Sequence, residues 1–511
     1  MDDAASRGRP GRARSPLDRI FVDGAWREGR ARRRPDHNPY NGEVIAEIAQ
    51  ADAADLDAAY AAASRAQKDW AARLPRERAA IMSKAAAVME ARREEIIDWL
   101  IEESGSTRLK ATLEWTAVQG GMLEAAALPH MVEGRIPPPT FPGKAARVLR
   151  KPVGVVGVIS PWNWPLQLSN RSVAPALAVG NAVVLKPASD TPVTGGLLLA
   201  SLFEEAGLPA GVLNVVPGPG SEIGDAFIAH PAPRVISFTG STEVGRGVAR
   251  KVADAEIIKQ LELELGGNSP LVVLADADLD YAVEAAAWGK FLHQGQICMI
   301  ANRLVVEDAI YEDFVERFAA KVRTLGVGDP ARSSTFIGPI INDSQLESIR
   351  KTIEAARADG LREVVGGDAE GRVLPPHVFA DVPEDHRELA QSEIFGPVAP
   401  IIRARDEADA LRIANATDRG LSAAVFTRDV ERGVRFAEQI ESGMAHVNDQ
   451  PVNDLPFNPF GGEKNSGLGR FNGAWAVEAF TTDQWITVQR EPRSFPFAAE
   501  QETGEAASAG G

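Results

Sequence analysis

From residue 153 onward, short β-branched runs, "GVVGVIS", "NAVVLKP", "GVLNVVPG" and "RVISFTG", alternate with helix-like stretches such as "TPVTGGLLLASLFEEAG". Strands that are apolar on both faces and separated by helices imply an α/β fold with a doubly wound parallel sheet, which binds ligands at the carboxyl ends of its strands. A second series starts at "SPLVVLADADLDYAVEAAAWGKFLHQG" and runs through "RLVVED" and "IYEDFVERFAAKVRTLG", so a second α/β domain is expected. Upstream, "RERAAIMSKAAAVMEARREEIIDWLIEESG" places Ile81, Ala85, Val88, Ile96 and Trp99 near one helical face, with Pro75 before it and Gly105 as its C-cap. One amphipathic helix is predicted there. The Pro-rich "GRIPPPTFPGKAARVLRKPV" and the distant "DQWITVQREP" are isolated strand candidates that are expected to pair.

A formal charge of −16 argues against nucleic acid or an anionic membrane as the main partner, because such binding relies on clustered Lys and Arg. No 18-residue apolar run predicts a membrane span. The N-terminus, arginine-bearing but without an apolar core, reads as a disordered basic arm over residues 1–17, and residues 497–511 read as a disordered tail. One cysteine in 511 residues excludes an intrachain disulfide and permits a reducing, cytoplasmic location.

That cysteine, Cys298, follows "HQGQI", where Gly295 lets the backbone turn and approach another group closely. A lone thiol reads equally as a small buried hydrophobe. Glu262 and Glu264 alternate with Leu261, Leu263 and Leu265, a pattern that by itself predicts a solvated acidic face. Asn163, between Trp162 and Trp164 and flanked by Pro161 and Pro165, reads as a loop asparagine just beyond the strand "VVGVIS". "VVPGPGSEIG" departs by one residue from the dinucleotide fingerprint and carries little on its own.

Taken in order, "SPWNWPLQLSNR", "LKPASDTP", "FTGSTEVGR", "LELELGGNSP", "GQICMIANR", "EIFGPV" and "PFGGEKNSGLGR" closely resemble the aldehyde dehydrogenase family over nearly the whole chain. Within it, "LSNRSVAPALAVGNAVVLKPASDTPVTGG" and "GKFLHQGQICM" look most like the benzaldehyde and vanillin dehydrogenase branch. The resemblance implies a Rossmann-like cofactor domain over residues 18–130 and 151–264, an α/β catalytic domain over 265–465, and a β oligomerisation arm over 131–150 and 476–492. A homodimer or homotetramer follows from that arm. The implied reaction is oxidation of an aldehyde by NAD or NADP, and no metal is implied.

By the same resemblance Cys298 is the nucleophile, Asn163 supplies an oxyanion donor and Glu264 is the base that activates water against the thioester. Gly240, Ser241 and Gly245 would bring a strand-to-helix turn against the pyrophosphate, Lys186 would meet the adenosine ribose, and Glu393 would hold the nicotinamide ribose, with Phe395 and Trp162 beside it. NAD-preferring relatives often carry glutamate at the position of Ser189, so serine there is expected to admit NADP. Trp164, Leu168, Leu292, Ile297, Met299 and Phe460 are expected around an apolar tunnel to Cys298, suited to aromatic aldehydes. Arg171 and Arg303 keep a semialdehyde alternative open, grouped with an aliphatic aldehyde dehydrogenase; a coenzyme-A-acylating relative is a second alternative, and a noncatalytic structural protein is a third.

Overall fold

The computed structural model describes residues 16–139 and 141–495. The expected N-terminal arm, apart from residues 16 and 17, and the expected C-terminal tail lie outside the described residues.

Five parallel strands make the centre of the first sheet, in the spatial order Leu213–Val215, Ala182–Lys186, Val155–Ile159, Pro233–Thr239 and Gln260–Glu264. Val156, Val183 and Val184 are wholly buried, as continuous apolar runs between two helical layers require. The chain enters at Val155–Ile159, builds outward through two strands, then returns to that first strand's other side. The crevice between Val155–Ile159 and Pro233–Thr239 is therefore the topological switch point, where doubly wound sheets bind ligands. Short antiparallel strands close both edges: Ile20–Val22 with Ala25–Arg27 on one side, and Gly467–Leu468 on the other.

A second sheet has seven strands, ordered Arg362–Val365, His377–Ala380, Val398–Ala404, Ala301–Glu307, Ser269–Val273, Ala424–Phe426 and His446–Val447. All neighbours are parallel except the first pair. The sheets are joined through the short segment between Glu264 and Ser269, so the carboxyl ends of the first open towards the amino ends of the second.

The long amphipathic helix of the sequence pattern is two helices, Pro75–Ala91 and Arg93–Ser104. They break at Arg92, whose guanidinium binds Glu95 and the Ser201 hydroxyl. The apolar face is as read: Ile81, Ala85, Ile96 and Trp99 are buried, and Gly105 ends the second helix at φ 64°. Strands Lys144–Pro152 and Thr481–Gln489 pair antiparallel into a ribbon on which Leu149, Trp485 and Val488 are exposed. Residues 476–479, expected in that arm, instead end the helix Gly473–Ala479. Among the described residues no helix is long and apolar enough to cross a membrane.

Candidate active site

Asn163 stands at the switch point, in the loop that leaves Val155–Ile159 and enters the helix Pro165–Ala178. The loop is anchored from behind. Lys110 donates from Nζ to the Asn163 carbonyl oxygen at 2.8 Å and pairs with Glu114, and both side chains are fully buried. Glu114 Oε1 accepts from the backbone N–H groups of Leu166 and Gln167 at 2.9 and 3.1 Å, so one carboxylate satisfies two of the helix's unpaired amino-terminal donors. The Asn163 amide donates one N–H to the Gln296 carbonyl at 3.0 Å, which leaves its second N–H uncommitted.

Gln296 belongs to the loop that carries Cys298. His293, Gln294 and Gly295 take successive left-handed conformations, φ 52°, 58° and 73°. A side chain at Gly295 would meet the Gly396 carbonyl oxygen at 2.2 Å, so only glycine fits there. Left-handed backbone costs the two non-glycine residues about 1 to 2 kcal/mol each, offset by tethers that include Gln294 to the Pro339 carbonyl at 2.8 Å and Ile341 N–H to Gln296 at 3.1 Å. From the opposite side, Gly267 passes so close that a Cβ would lie 2.1 Å from the Cys298 carbonyl oxygen. Burial, and next the Glu264 charge, push the Cys298 thiol well above its usual range.

Glu264 is buried at the carboxyl end of Gln260–Glu264, and Glu262 is buried too, which corrects the expected solvated face. Gly467–Leu468 pairs along the strand's open edge, while on the glutamate face Gly469 packs against Glu262 and Arg171 against Glu264. Glu262 Oε1 accepts from Gln260 at 2.8 Å while its Oε2 has no partner, and burial pushes its carboxyl up to about 7. Glu264 Oε2 accepts from Arg171 Nη2 at 3.1 Å and its Oε1 has no hydrogen-bond partner. Burial raises the Glu264 carboxyl, and Arg171 opposes that rise.

Two cavities meet at Cys298. The first, about 240 Å³, is lined by Trp162, Asn163, Gly240, Ser241, Glu264, Glu393, Phe395 and Gln345, among others. Ser241 caps the helix Thr242–Ala253, accepting from Val244 N–H. Trp162 meets Phe395 edge-on, ring centroids 5.4 Å apart. Glu393 accepts from Gly267 N–H at 2.9 Å and from Arg419 at 2.8 Å, and burial raises its carboxyl. Three expected residues stand outside this lining. Gly245 sits inside the helix against Leu265, Ser189 is exposed in a turn, and Lys186 is buried with its Nζ 3.4 Å from the Pro187 carbonyl, burial holding its amine near 8. Thr239, Leu265 and Gly266, next to expected residues, are missed, and so is Gln345, which lies in the first turn of Asp343–Ala358, where nothing in its sequence neighbourhood signals a site.

Residues 26–486 match the model of the aldehyde dehydrogenase family. The chain belongs to that family. It is 56% identical to a vanillin dehydrogenase of Corynebacterium glutamicum, over 92% of this chain and 97% of the relative. It is 49% identical to a benzaldehyde dehydrogenase of Bacillus subtilis, over 94% of this chain and 99% of the relative. Among solved structures it resembles an NAD-dependent benzaldehyde dehydrogenase from Corynebacterium glutamicum, with TM-score 0.86, 52% identity and coverage of 93% and 97%. It also resembles a salicylaldehyde dehydrogenase from Pseudomonas putida G7 complexed with salicylaldehyde, with TM-score 0.91, 38% identity and coverage of 94% and 99%.

The second cavity of this aldehyde dehydrogenase, about 180 Å³, gathers all six expected tunnel residues, Trp164, Leu168, Leu292, Ile297, Met299 and Phe460. Leu113, Trp288 and Val452 complete its apolar wall, and Gln167, Arg171 and Asp454 give it one polar flank. Gln167 and Arg171 share the helix of Leu168, while Leu113, Trp288, Val452 and Asp454 come from other segments that no local pattern links to it. The two arginines behind the semialdehyde alternative are both committed. Arg303 donates to three backbone carbonyls, of Asn268, Ile413 and Ala414, and Arg171 is paired with Glu264 and Asp454. Arg303 is spent on the backbone outside the tunnel lining, and Arg171 already balances two carboxylates, with only its Nε unpartnered.

Proposed function

We propose that this aldehyde dehydrogenase oxidises aromatic aldehydes of the benzaldehyde and vanillin type to their carboxylic acids, with Cys298 as nucleophile. The observation that carries the reading is the single thiol at the junction of a largely apolar tunnel, walled by Trp164, Trp288 and Phe460, and a crevice at the switch point of a doubly wound sheet. A flat, uncharged aldehyde suits such a wall. The relatives named above act on substrates of this kind.

The crevice fits NAD or NADP. The amino end of Thr242–Ala253 offers backbone N–H groups and a positive dipole end to a pyrophosphate, and half-buried Glu393 offers acceptor oxygens to a ribose. When bound, the nicotinamide supplies the hydride acceptor that no side chain can be. Trp162 and Phe395, packed edge to face, shape the crevice wall beside Glu393.

The chain's own groups do the rest. Cys298 gives up its thiol proton to solvent and attacks as the thiolate. Its sulfur bonds to the aldehyde carbon, the C=O π pair becomes an oxyanion, and that oxyanion takes the uncommitted Asn163 N–H and the Cys298 backbone N–H. After oxidation the thioester carbon is attacked by water, whose proton goes to Glu264; the C–S bond breaks and the acid leaves. Glu264 in this place supports hydrolysis over transfer to coenzyme A. The exposed ribbon supports assembly as a homodimer or homotetramer, and a lone, unpaired cysteine suits a reducing cytoplasm. Absorbance of reduced nicotinamide tests the reading. Benzaldehyde and vanillin should exceed succinic semialdehyde and hexanal by about tenfold or more in kcat/KM, and Cys298→Ala should abolish turnover. An aliphatic or carboxylated aldehyde as the best substrate would refute it.

A further inference from the structure

Arg171 is the most constrained charged group beside the reacting atoms. It lies on Pro165–Ala178, the helix whose entry loop carries Asn163, and its side chain is 1% exposed. Its guanidinium carbon sits 4.1 Å from the Phe460 ring centroid and 4.9 Å from that of Phe471. Nη2 binds Glu264 Oε2 at 3.1 Å and Nη1 reaches Asp454 Oδ2 at 3.4 Å, while Nε has no partner. Asp454 is itself tied to Gln167 at 3.3 Å and to Asn472 at 2.7 Å. One buried cation is thus shared between a carboxylate beside the thiol and a carboxylate in the tunnel wall.

We propose that Arg171 is the positioning residue of the hydrolytic step: it keeps Glu264 ionised and occupies its Oε2, so that the unpartnered Oε1 is the atom that takes the proton of water. Asp454 sets the strength of that hold by competing for the same guanidinium. This rests on the reading of Glu264 as the base. Burial of a carboxylate without a counter-ion favours its neutral form, which accepts no proton at that stage. The charged groups around Glu264 are Arg171 from the helix, Asp454 from the tunnel wall, Glu393 from the cofactor crevice and the Cys298 thiol. Arg171 is the one cation among them, so its loss moves the acid limb of hydrolysis to higher pH. Deacylation is one balanced step: water oxygen bonds to the thioester carbon, its proton passes to Glu264 Oε1, the C–S bond breaks, and sulfur leaves as thiolate.

Rapid mixing of enzyme, cofactor and benzaldehyde separates acylation from hydrolysis. Arg171→Met should retain a burst near one reduced cofactor per subunit, followed by a steady state about ten- to a hundredfold slower than wild type. Its acid limb should rise by about one to three pH units. Asp454→Asn, which leaves Glu264 and Arg171 in place, should move that limb the opposite way and serves if the arginine variant does not fold. Arg171→Lys should restore part of the steady-state rate. Burst and steady state falling together with an unmoved acid limb, or an unmoved limb in Asp454→Asn, would overturn the proposal. Glu264→Gln run alongside distinguishes the two levels: if it turns over like wild type, the base assignment fails, and if it stalls after one turnover while Arg171→Met does not, only the role of Arg171 fails.

Discussion

Replacing Asn163 by alanine isolates the oxyanion contribution, because the structure shows what else the residue does. Its backbone carbonyl, held by Lys110, is untouched by the substitution, so the loop keeps its anchor. The side chain is buried, with one N–H on Gln296 and one left over, and the Cys298 backbone N–H remains as a second donor. Losing one preorganised donor of two costs about 2.7 to 4 kcal/mol of transition-state stabilisation, a fall of about 10² to 10³ in the acylation rate. Asn163→Asp keeps the shape but sets a carboxylate against the developing oxyanion. At about 4 Å and an effective dielectric of 20 that adds about 4 kcal/mol, roughly a further thousandfold. The assay is the burst rate of reduced nicotinamide at saturating benzaldehyde, with thermal melting to track the Gln296 carbonyl left without a donor, worth about 1 to 3 kcal/mol. An Asn163→Ala burst rate within about threefold of wild type, far short of the oxyanion-donor range, would refute the reasoning.

Alkylation of Cys298 in the free enzyme should accelerate steadily with pH through the alkaline range, because the thiol is held well above its usual range, and Glu264→Gln should speed it at pH 8 by removing a repelling charge; slower alkylation in that variant would contradict the electrostatics. Glu262 has its folded-state carboxyl raised to about 7, so the folded protein binds the extra proton and stability falls as pH rises from the unfolded value towards 7. Glu262→Gln should accordingly melt higher than wild type at pH 8 and by a much smaller margin at pH 5, read by calorimetry at both pH values. Ser189→Glu should lower kcat/KM for NADP by about tenfold, the effect of one repelling carboxylate near the 2′-phosphate, and spare NAD. Lys110→Met, which leaves Glu114 without its buried counter-ion, should destabilise the protein by about 3 to 5 kcal/mol in denaturant unfolding and slow acylation as the Asn163 loop loosens.

Much of this molecule was legible because its signals are local. Continuous β-branched runs gave the parallel strands, and motif order brought Asn163, Glu264 and Cys298 to one crevice, with the six tunnel side chains around it. What escaped depends on partners far apart in the chain. Arg171 meets Glu264 across 93 residues and Asp454 across 283, separations at which no periodicity operates. The alternation of Glu262 and Glu264 with leucines fixed their common face but not its surroundings, since what packs on that face, Arg171 against Glu264 and Gly469 against Glu262, comes from distant parts of the chain. Arg92 divides a helix whose apolar stripe runs on across the break, so the stripe alone concealed the joint. Gly245 and Ser189, placed by motif, do not line the cavity at Cys298; the glycine's use there is close packing of its helix on Leu265.

The ribbon of Lys144–Pro152 and Thr481–Gln489 joins strands 333 residues apart at the Arg150–Asp483 pair. During synthesis the first strand waits, its edge towards Thr481–Gln489 unpaired, until nearly all of the rest of the described chain has been made. At about 5 to 20 residues per second that interval is of the order of 20 to 60 s. Closure of the ribbon therefore reports that both sheets have been translated, and any partner that recognises the closed ribbon selects chains with both sheets made over shorter nascent ones.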